Sequence, residues 1–387
     1  MKRVLFVSNG NGEAAIADRI AAEVRRVLPE VTCDHLALVG EGRSEAMREV
    51  GPQRRMPSGG IIAMGNVRNI ARDVRGGLIG LTLAQRAFLV RARATYDAGV
   101  AVGDVFALLM TLAARLPTTY VGTAKSVLVA PYGPIEEHIL RRATAIFVRD
   151  MATALRLQAH GLAAQAPGNV IVDLYSDAPE SSAREAVDGF KPAIALFPGS
   201  RESGYDDALF LLRTIACCGR SRPDLGAVLS VASTLSADRF VQHLRAHGWV
   251  VVMRDDALVP FVVEREGRTI ARAFCGQVGA LFGSVAMVVG QAGTANEAAA
   301  AAGVPVVAFE LGSDRKTAWY RMRQHGLLGD ALEILPGDVE IGARRIGALL
   351  DDPSARQRMA ATGRERMGGP GGARAIAERI AETLDVA

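Results

Sequence analysis

Short, unbroken apolar runs alternate with stretches of helical period along the whole chain. VLFVS (4–8) is the kind of run that a strand buried on both faces needs. It leads through Gly10-Asn11-Gly12 into a helix predicted at about 13–28, with Ala14, Ile16, Ala17, Ile20, Ala21 and Val24 on one face. Strand-like runs recur at HLALVG (35–40), AGVAVG (98–103), TTYVG (118–122) and AIFVRD (145–150), with helical patterns between them. After Pro192 the pattern restarts: AIALFPGS (193–200), a helix at about 205–220, AVLSVAS (227–233), a helix at 236–247 and WVVVM (249–253). A helix at 271–282, SVAMVVG (284–290), a helix at 294–302 and VPVVAF (304–309) complete the series. Such alternation predicts mostly parallel sheets. The expected fold class is α/β, with two doubly wound, Rossmann-like domains facing a cleft. The boundaries read as 1–172, a linker at 173–192 rich in Asp, Ser, Glu and Pro, and 193–368. A closing segment, 369–387, forms a helix after Gly-Gly-Pro-Gly-Gly (368–372) and is expected to pack back on the first domain.

Composition agrees with that outline and removes several alternatives. The 387 residues suit two domains of middling size, and 49% apolar with 22% charged residues is globular composition, not that of a disordered chain. No stretch of 18 or more apolar residues is free of charge, and the N-terminus reads as a first strand, not a secretion signal. Cys33, Cys217, Cys218 and Cys275 fall in no metal-ligand or disulfide spacing, which points to buried thiols in a reducing cytoplasm. Of the six histidines only His243 and His247 stand at HxxxH spacing and none lies in an HExxH, so no metal site is expected. Net charge is +4, but residues 43–93 carry ten arginines against three acidic residues, which is +7. There, Ile61, Ile62, Met64, Val67, Ile70, Val74, Leu78, Ile79, Leu81, Leu83 and Phe88 are interleaved with the arginines. An apolar face rimmed with arginine suits an anionic membrane surface; a packed helix pair with solvated arginines is the alternative. Nucleic acid is not expected, for want of aromatic residues and of any recognised motif.

Two places set a Gly-containing turn between a buried strand and a helix start. In VVG-Gln291-Ala292-Gly293-Thr294-Ala295-Asn296-Glu297 the turn carries no bulky side chain, and the helix end offers unpaired N–H groups that favour an anion. Glu297 would repel a phosphate but suits a diol such as a ribose; capping the helix is its alternative role. In Leu196-Phe197-Pro198-Gly199-Ser200-Arg201, Ser200 can donate to an oxygen and Arg201 brings a fork of donors. Both turns fall at the C-terminal edge of one predicted parallel sheet, where open α/β sheets bind ligands. The second domain therefore reads as a nucleotide or nucleotide-sugar site. Gly10-x-Gly12-x-x-Ala15 fits the dinucleotide fingerprint formally, but Asp34 stands at the start of the second strand and Glu41 is somewhat far, so a nicotinamide enzyme is the weaker reading.

The PGSR turn, the AGTANE helix start and the order of elements between them resemble the donor half of a GT-B glycosyltransferase. The likeness is to the lipid-A-disaccharide synthase-related family. SNGNGEAAIA (8–17), Val102-Gly103-Asp104, Tyr120-Val121-Gly122-Thr123, Phe147-Val148-Arg149-Asp150 and Gly168-Asn169-Val170 fall where that family has its N-terminal motifs. MPSGG (56–60) and VGTAKS (121–126) add to the likeness. Two positions depart from it: Ala292 stands where the family has Ser, and Gly168-Asn169-Val170 where it has Gly-His-Pro.

The resemblance implies an inverting, metal-independent glycosyltransferase, with no cofactor beyond a UDP-sugar substrate. Gly199, Ser200, Arg201, Gln291, Gly293, Thr294, Ala295, Asn296, Glu297 and Lys316, with Arg315 nearby, would hold the donor. Gly10, Asn11, Gly12, Ser58 and Lys125 would hold a lipid or lipid-linked acceptor. Asp104 is the candidate base, with Glu13 second and helix capping as the alternative role of Asp104. The expected location is cytoplasmic, peripheral on the inner face of the cell membrane. Two rival readings are a nucleotide-sugar epimerase of the same fold and a non-catalytic nucleotide-sugar or lipid-binding protein.

Overall fold

A computed structural model describes residues 2–39, 44, 46–54, 77–312 and 315–386. The chain divides into two compact units, Met1–Leu174 with Gly369–Ala387, and Tyr175–Gly368.

Among the described residues the first unit is built on a seven-stranded, wholly parallel sheet. Its strands are β1 (Arg3–Ser8), β2 (Thr32–Ala37), β3 (Arg48–Glu49), β4 (Ala98–Gly103), β5 (Thr118–Gly122), β6 (Ala145–Val148) and β7 (Ala164–Gln165). They lie in the order β3-β2-β1-β4-β5-β6-β7. The crossover helices are α1 (Asn11–Val27), α2 (Leu78–Ala92), α3 (Val105–Thr111), α4 (Pro134–Leu140), α5 (Met151–Ala159) and α6 (Val170–Ser176). Val4, Leu5, Phe6 and Val7 are all fully buried, which is why β1 reads as one continuous apolar run rather than an alternating one. The sheet order reverses between β1 and β4, so the loops after these two strands, at Asn9–Gly10 and at Asp104, lie side by side.

The second unit begins at Tyr175, within α6, and continues through a 3-10 turn at Glu180–Ala183 and α7 (Arg184–Val187), so the stretch read as a linker carries helical turns of its own. Its sheet has eight strands in the order β10-β11-β12-β9-β8-β13-β14-β15 among the described residues. These are β8 (Ala193–Phe197), β9 (Gly226–Ser230), β10 (Val250–Met253), β11 (Phe261–Arg265), β12 (Arg268–Phe274), β13 (Met287–Gly290), β14 (Val306–Glu310) and β15 (Leu332–Pro336). The helices are α8 (Gly204–Cys218), α9 (Ala237–Ala246), α10 (Thr294–Ala301), α11 (Arg315–Leu328), α12 (Val339–Asp351) and α13 (Pro353–Met367).

One expectation fails here. The helix predicted at 271–282 is the strand β12 followed by a 3-10 turn at Val278–Leu281. β11 and β12 form an antiparallel hairpin, and β12 then pairs in parallel with β9, from Ala271↔Ala227 to Phe274↔Ser230. The turn Glu266-Gly267 has φ of 54° and 72°, the two positive values that a tight two-residue hairpin turn requires.

The last helix, α14 (Gly372–Val386), packs on α1 of the first unit. Ile376, Ala377, Ile380 and Leu384 are buried. Asp173, buried at the end of the first unit's main run, accepts from the backbone N–H groups of Gly371 (2.6 Å) and Ala373 (2.7 Å). One carboxylate thus satisfies orphan donors at the start of α14 and pins it to α6.

Candidate functional site

In the first unit the loops after β1 and β4 meet through side chains. Asn9 Nδ2 donates to Asp104 Oδ2 (2.9 Å), and the backbone N–H of Ala107 donates to Asp104 Oδ1 (3.1 Å). Asp104 therefore caps α3, and Asn9 fixes the direction of its second oxygen. Glu13, in the first turn of α1, folds back over Gly10: a methyl group on Gly10 would lie 2.5 Å from Glu13 Oε2. Glu13 Cγ likewise lies 3.2 Å from where a Cβ on Gly103 would be, so the two candidate carboxyls share one neighbourhood. Burial, and then the nearby charge of Asp104, hold the Glu13 carboxyl above its usual range, against a backbone hydrogen bond that pulls it down. Behind them Tyr120 donates to the Gly103 carbonyl (3.1 Å) and meets the Tyr132 hydroxyl at 3.2 Å, both rings fully buried.

The proposed acceptor residues are not all gathered here. Gly10 and Gly12 border the Glu13 carboxyl or the helix start. Lys125 forms an ion pair with Glu136 (2.5 Å) over the face of Tyr132. Ser58, and the arginine-rich segment from 55 to 76, lie outside the described residues, as do the side chains of Asn11, Arg315 and Lys316.

In the second unit the two turns follow neighbouring parallel strands, since Gly290 of β13 pairs with Phe197 of β8. The backbone N–H groups of Gln291 and Ala292 both donate to the Phe197 carbonyl, at 2.7 and 3.2 Å. Gly199 has φ +104°, a left-handed conformation that a side chain would strain, and this bends the chain away from β8. Ser200 and Arg201 are exposed, and the Arg201 guanidinium lies 5.7 Å over the Tyr320 ring of α11. Thr294 opens α10 and its hydroxyl meets that of Tyr175 at 3.3 Å. Glu297 stands half-buried in the first turn of α10 and raises the Tyr175 hydroxyl pKa, an effect secondary to burial.

Two of the expected donor residues turn their side chains inward. Asn296 is fully buried and its amide donates to the Gly290 carbonyl (3.0 Å), bracing the end of β13. Only its backbone N–H can face a ligand. The Gln291 side chain points into the unit, where it donates to the Phe309 carbonyl (3.1 Å) and accepts from Arg321. Arg321 and Gln324, both buried, are parts of this site that the sequence did not single out. Arg321 Nη2 donates to the Gln291 carbonyl (3.0 Å), while Gln324 Nε2 donates to the carbonyls of Ala292 (3.0 Å) and Gly293 (3.1 Å). Burial pushes the Arg321 pKa down to about 10, opposed by the charge of Asp207, and burial pushes the Asp207 carboxyl up to about 6.

No helix among the described residues is long and apolar enough to cross a membrane. No family model matches the chain, and no curated protein matches it in sequence. Solved structures do match over nearly its whole length. One is MurG of Acinetobacter baumannii, with TM-score 0.60, 16% identity, and 99% of this chain and 100% of that one covered. Another is a UDP-glucosyltransferase from Polygonum tinctorium, with TM-score 0.59, 11% identity, and 100% and 99% covered. A third is the UDP-GlcNAc 2-epimerase of Neisseria meningitidis bound to UDP-GlcNAc, with TM-score 0.56, 13% identity, and 100% of both chains covered. Two Rossmann-like sheets and these full-length neighbours show that the chain has the two-domain GT-B fold.

Proposed function

We propose that the chain acts on UDP-sugars as an inverting glycosyltransferase, moving the sugar to a lipid or lipid-linked acceptor without a metal. The observation that carries the donor half is the pair of turns on β8 and β13. They put exposed Arg201 and Ser200 after the strand next to the one that leads into a helix start whose first N–H groups have no place in the helix ladder. A diphosphate there would gain charge-assisted hydrogen bonds from Arg201 and a helix-end contribution of about 0.3–1 kcal/mol. Its role is to stabilise the leaving group as the sugar–diphosphate bond breaks. Ala292 offers no hydroxyl, so the backbone and Ser200 carry that task. Glu297 holds the ribose. Similar solved structures include enzymes that use or bind UDP-sugars, which supports the same donor class.

Asp104 is the base that takes the acceptor hydroxyl's proton as that oxygen attacks the sugar carbon from the face opposite the departing UDP. Its orientation by Asn9 supports the assignment. The acceptor class rests on α2, where Ile79, Leu83 and Val90 are exposed on one stripe with Arg86, and Arg91 and Arg93 are exposed beside it. Such a face suits the inner surface of an anionic membrane, each arginine adding roughly 1 kcal/mol near the bilayer. The resemblance to the lipid-A-disaccharide synthase-related family points the same way.

A second reading, a UDP-sugar epimerase, draws on the Glu13–Asp104 neighbourhood. A carboxyl that holds its proton tightly beside another carboxyl is an acid–base pair able to remove and return a proton. The test is a thermal-denaturation series with UDP, ADP, GDP, dTDP and NAD, followed by activity assays. UDP at 100 times its dissociation constant should stabilise the chain by about 2.7 kcal/mol. Asp104→Ala should keep that shift and lose transfer. Stabilisation by NAD alone refutes the donor assignment, and solvent hydrogen appearing in the sugar without an acceptor selects the epimerase.

A further inference from the structure

We infer that Arg321 and Gln324 of α11 are positioning residues that aim the backbone of the 291–294 turn at the diphosphate of the donor. The inference rests on the donor reading above and adds how the turn is given its direction.

Three successive carbonyls are taken up from behind by two side chains: Gln291 O by Arg321, and Ala292 O and Gly293 O by Gln324. Arg321 Nη1 also donates to Gln324 Oε1 (2.9 Å), so the two side chains hold each other in place. A trans peptide is planar, and its N–H points opposite to its C=O. Fixing Ala292 O therefore turns the Gly293 N–H away from α11, and fixing Gly293 O does the same for the Thr294 N–H. The preceding N–H groups, of Gln291 and Ala292, are already committed to Phe197 O. The next ones, at Gly293 and Thr294, are left for a ligand. A flexible turn of small residues has no reason of its own to hold this arrangement, and left alone it would sample many others.

Burying an arginine is costly, and Arg321 is 8% exposed with its Nε finding no partner among the described residues. Asp207 of α8 is the acidic group facing it. A cation kept there puts a permanent positive charge directly behind the turn, where it also favours an anion in front. On the preceding position of α11, Tyr320 lies under Arg201, so one helix braces both donor turns.

The experiment measures UDP and UMP binding by calorimetry for the wild type, Gln324→Met, Arg321→Lys and a core variant, Ile346→Val, each shown to be folded at the working temperature. Gln324→Met and Arg321→Lys should weaken UDP at least tenfold and UMP less, because UMP lacks the second phosphate. Ile346→Val should stay within twofold for both. A unit that was only loosened would lose the two ligands by one factor. Folded Gln324→Met or Arg321→Lys with UDP affinity within twofold of wild type overturns the positioning role and leaves the donor reading standing. A wild type that binds no UDP overturns the donor reading, and this role with it.

Discussion

Glu13 is a candidate site residue whose surroundings work against the solution chemistry of a carboxyl. Burial and the Asp104 charge hold its proton more tightly in the folded chain than in the unfolded one, where its ordinary value is 4.5. Stability must then fall as pH rises from that value through the raised folded one. Glu13→Gln removes the titration while keeping the shape. It should raise the denaturant midpoint at pH 7.5, and the gain should vanish near pH 4, where both states carry the proton. A gain of equal size at both pH values would place the effect in packing instead. Asp104 reads differently: its oxygens are occupied by Asn9 and by the start of α3, so the capping role expected of it from sequence is present whatever else it does.

At the scale of the element, α14 depends on a single buried carboxylate. Asp173→Ala removes the acceptor of two backbone N–H groups and leaves the buried one, at Ala373, without its partner. By the usual worth of hydrogen bonds to a charged group, this should lower the stability of the first unit by about 1.5–3 kcal/mol, read from its unfolding transition. The same scale shows what the sequence makes legible. AGVAVG and TTYVG coincide with β4 and β5 because strands buried on both faces must be apolar throughout, and turns bound them sharply. The 271–282 stretch misleads because Ala271, Phe274, Val278 and Leu281 recur at helical spacing. Its true state is set by pairing with the distant strand β9, from Ala271↔Ala227 to Phe274↔Ser230, and that partner leaves no local mark. The short edge strands β3 and β7, two residues each, carry too little pattern to be read at all. The two donor turns were visible as small residues after apolar runs. Their support was not: Arg321 and Gln324 sit in a polar helix that reads as a solvated face, and only the packing of α11 against β14 and β15 turns them inward.

At the scale of the whole molecule, the second unit is one continuous stretch of chain, whereas the first is completed by residues from beyond it. Removing everything after Gly368 would strip α1 of the helix that buries Ile376, Ile380 and Leu384, each of them contributing roughly 1.5–3 kcal/mol of burial. Calorimetry of that truncated chain should show the first unit's transition lowered or lost. The second unit should keep its transition and its stabilisation by UDP. Both transitions falling together would mean that the two units do not unfold independently.

The position of α14 in the chain also sets an order of events during synthesis. As the polypeptide leaves the ribosome, the first 174 residues emerge early but lack the last helix of their own unit, while residues 175–368 have all they need as soon as they are out. The later-made half can thus mature first, and the earlier-made half waits, incompletely covered, until the tail arrives. That interval is when a chaperone would have the most to hold.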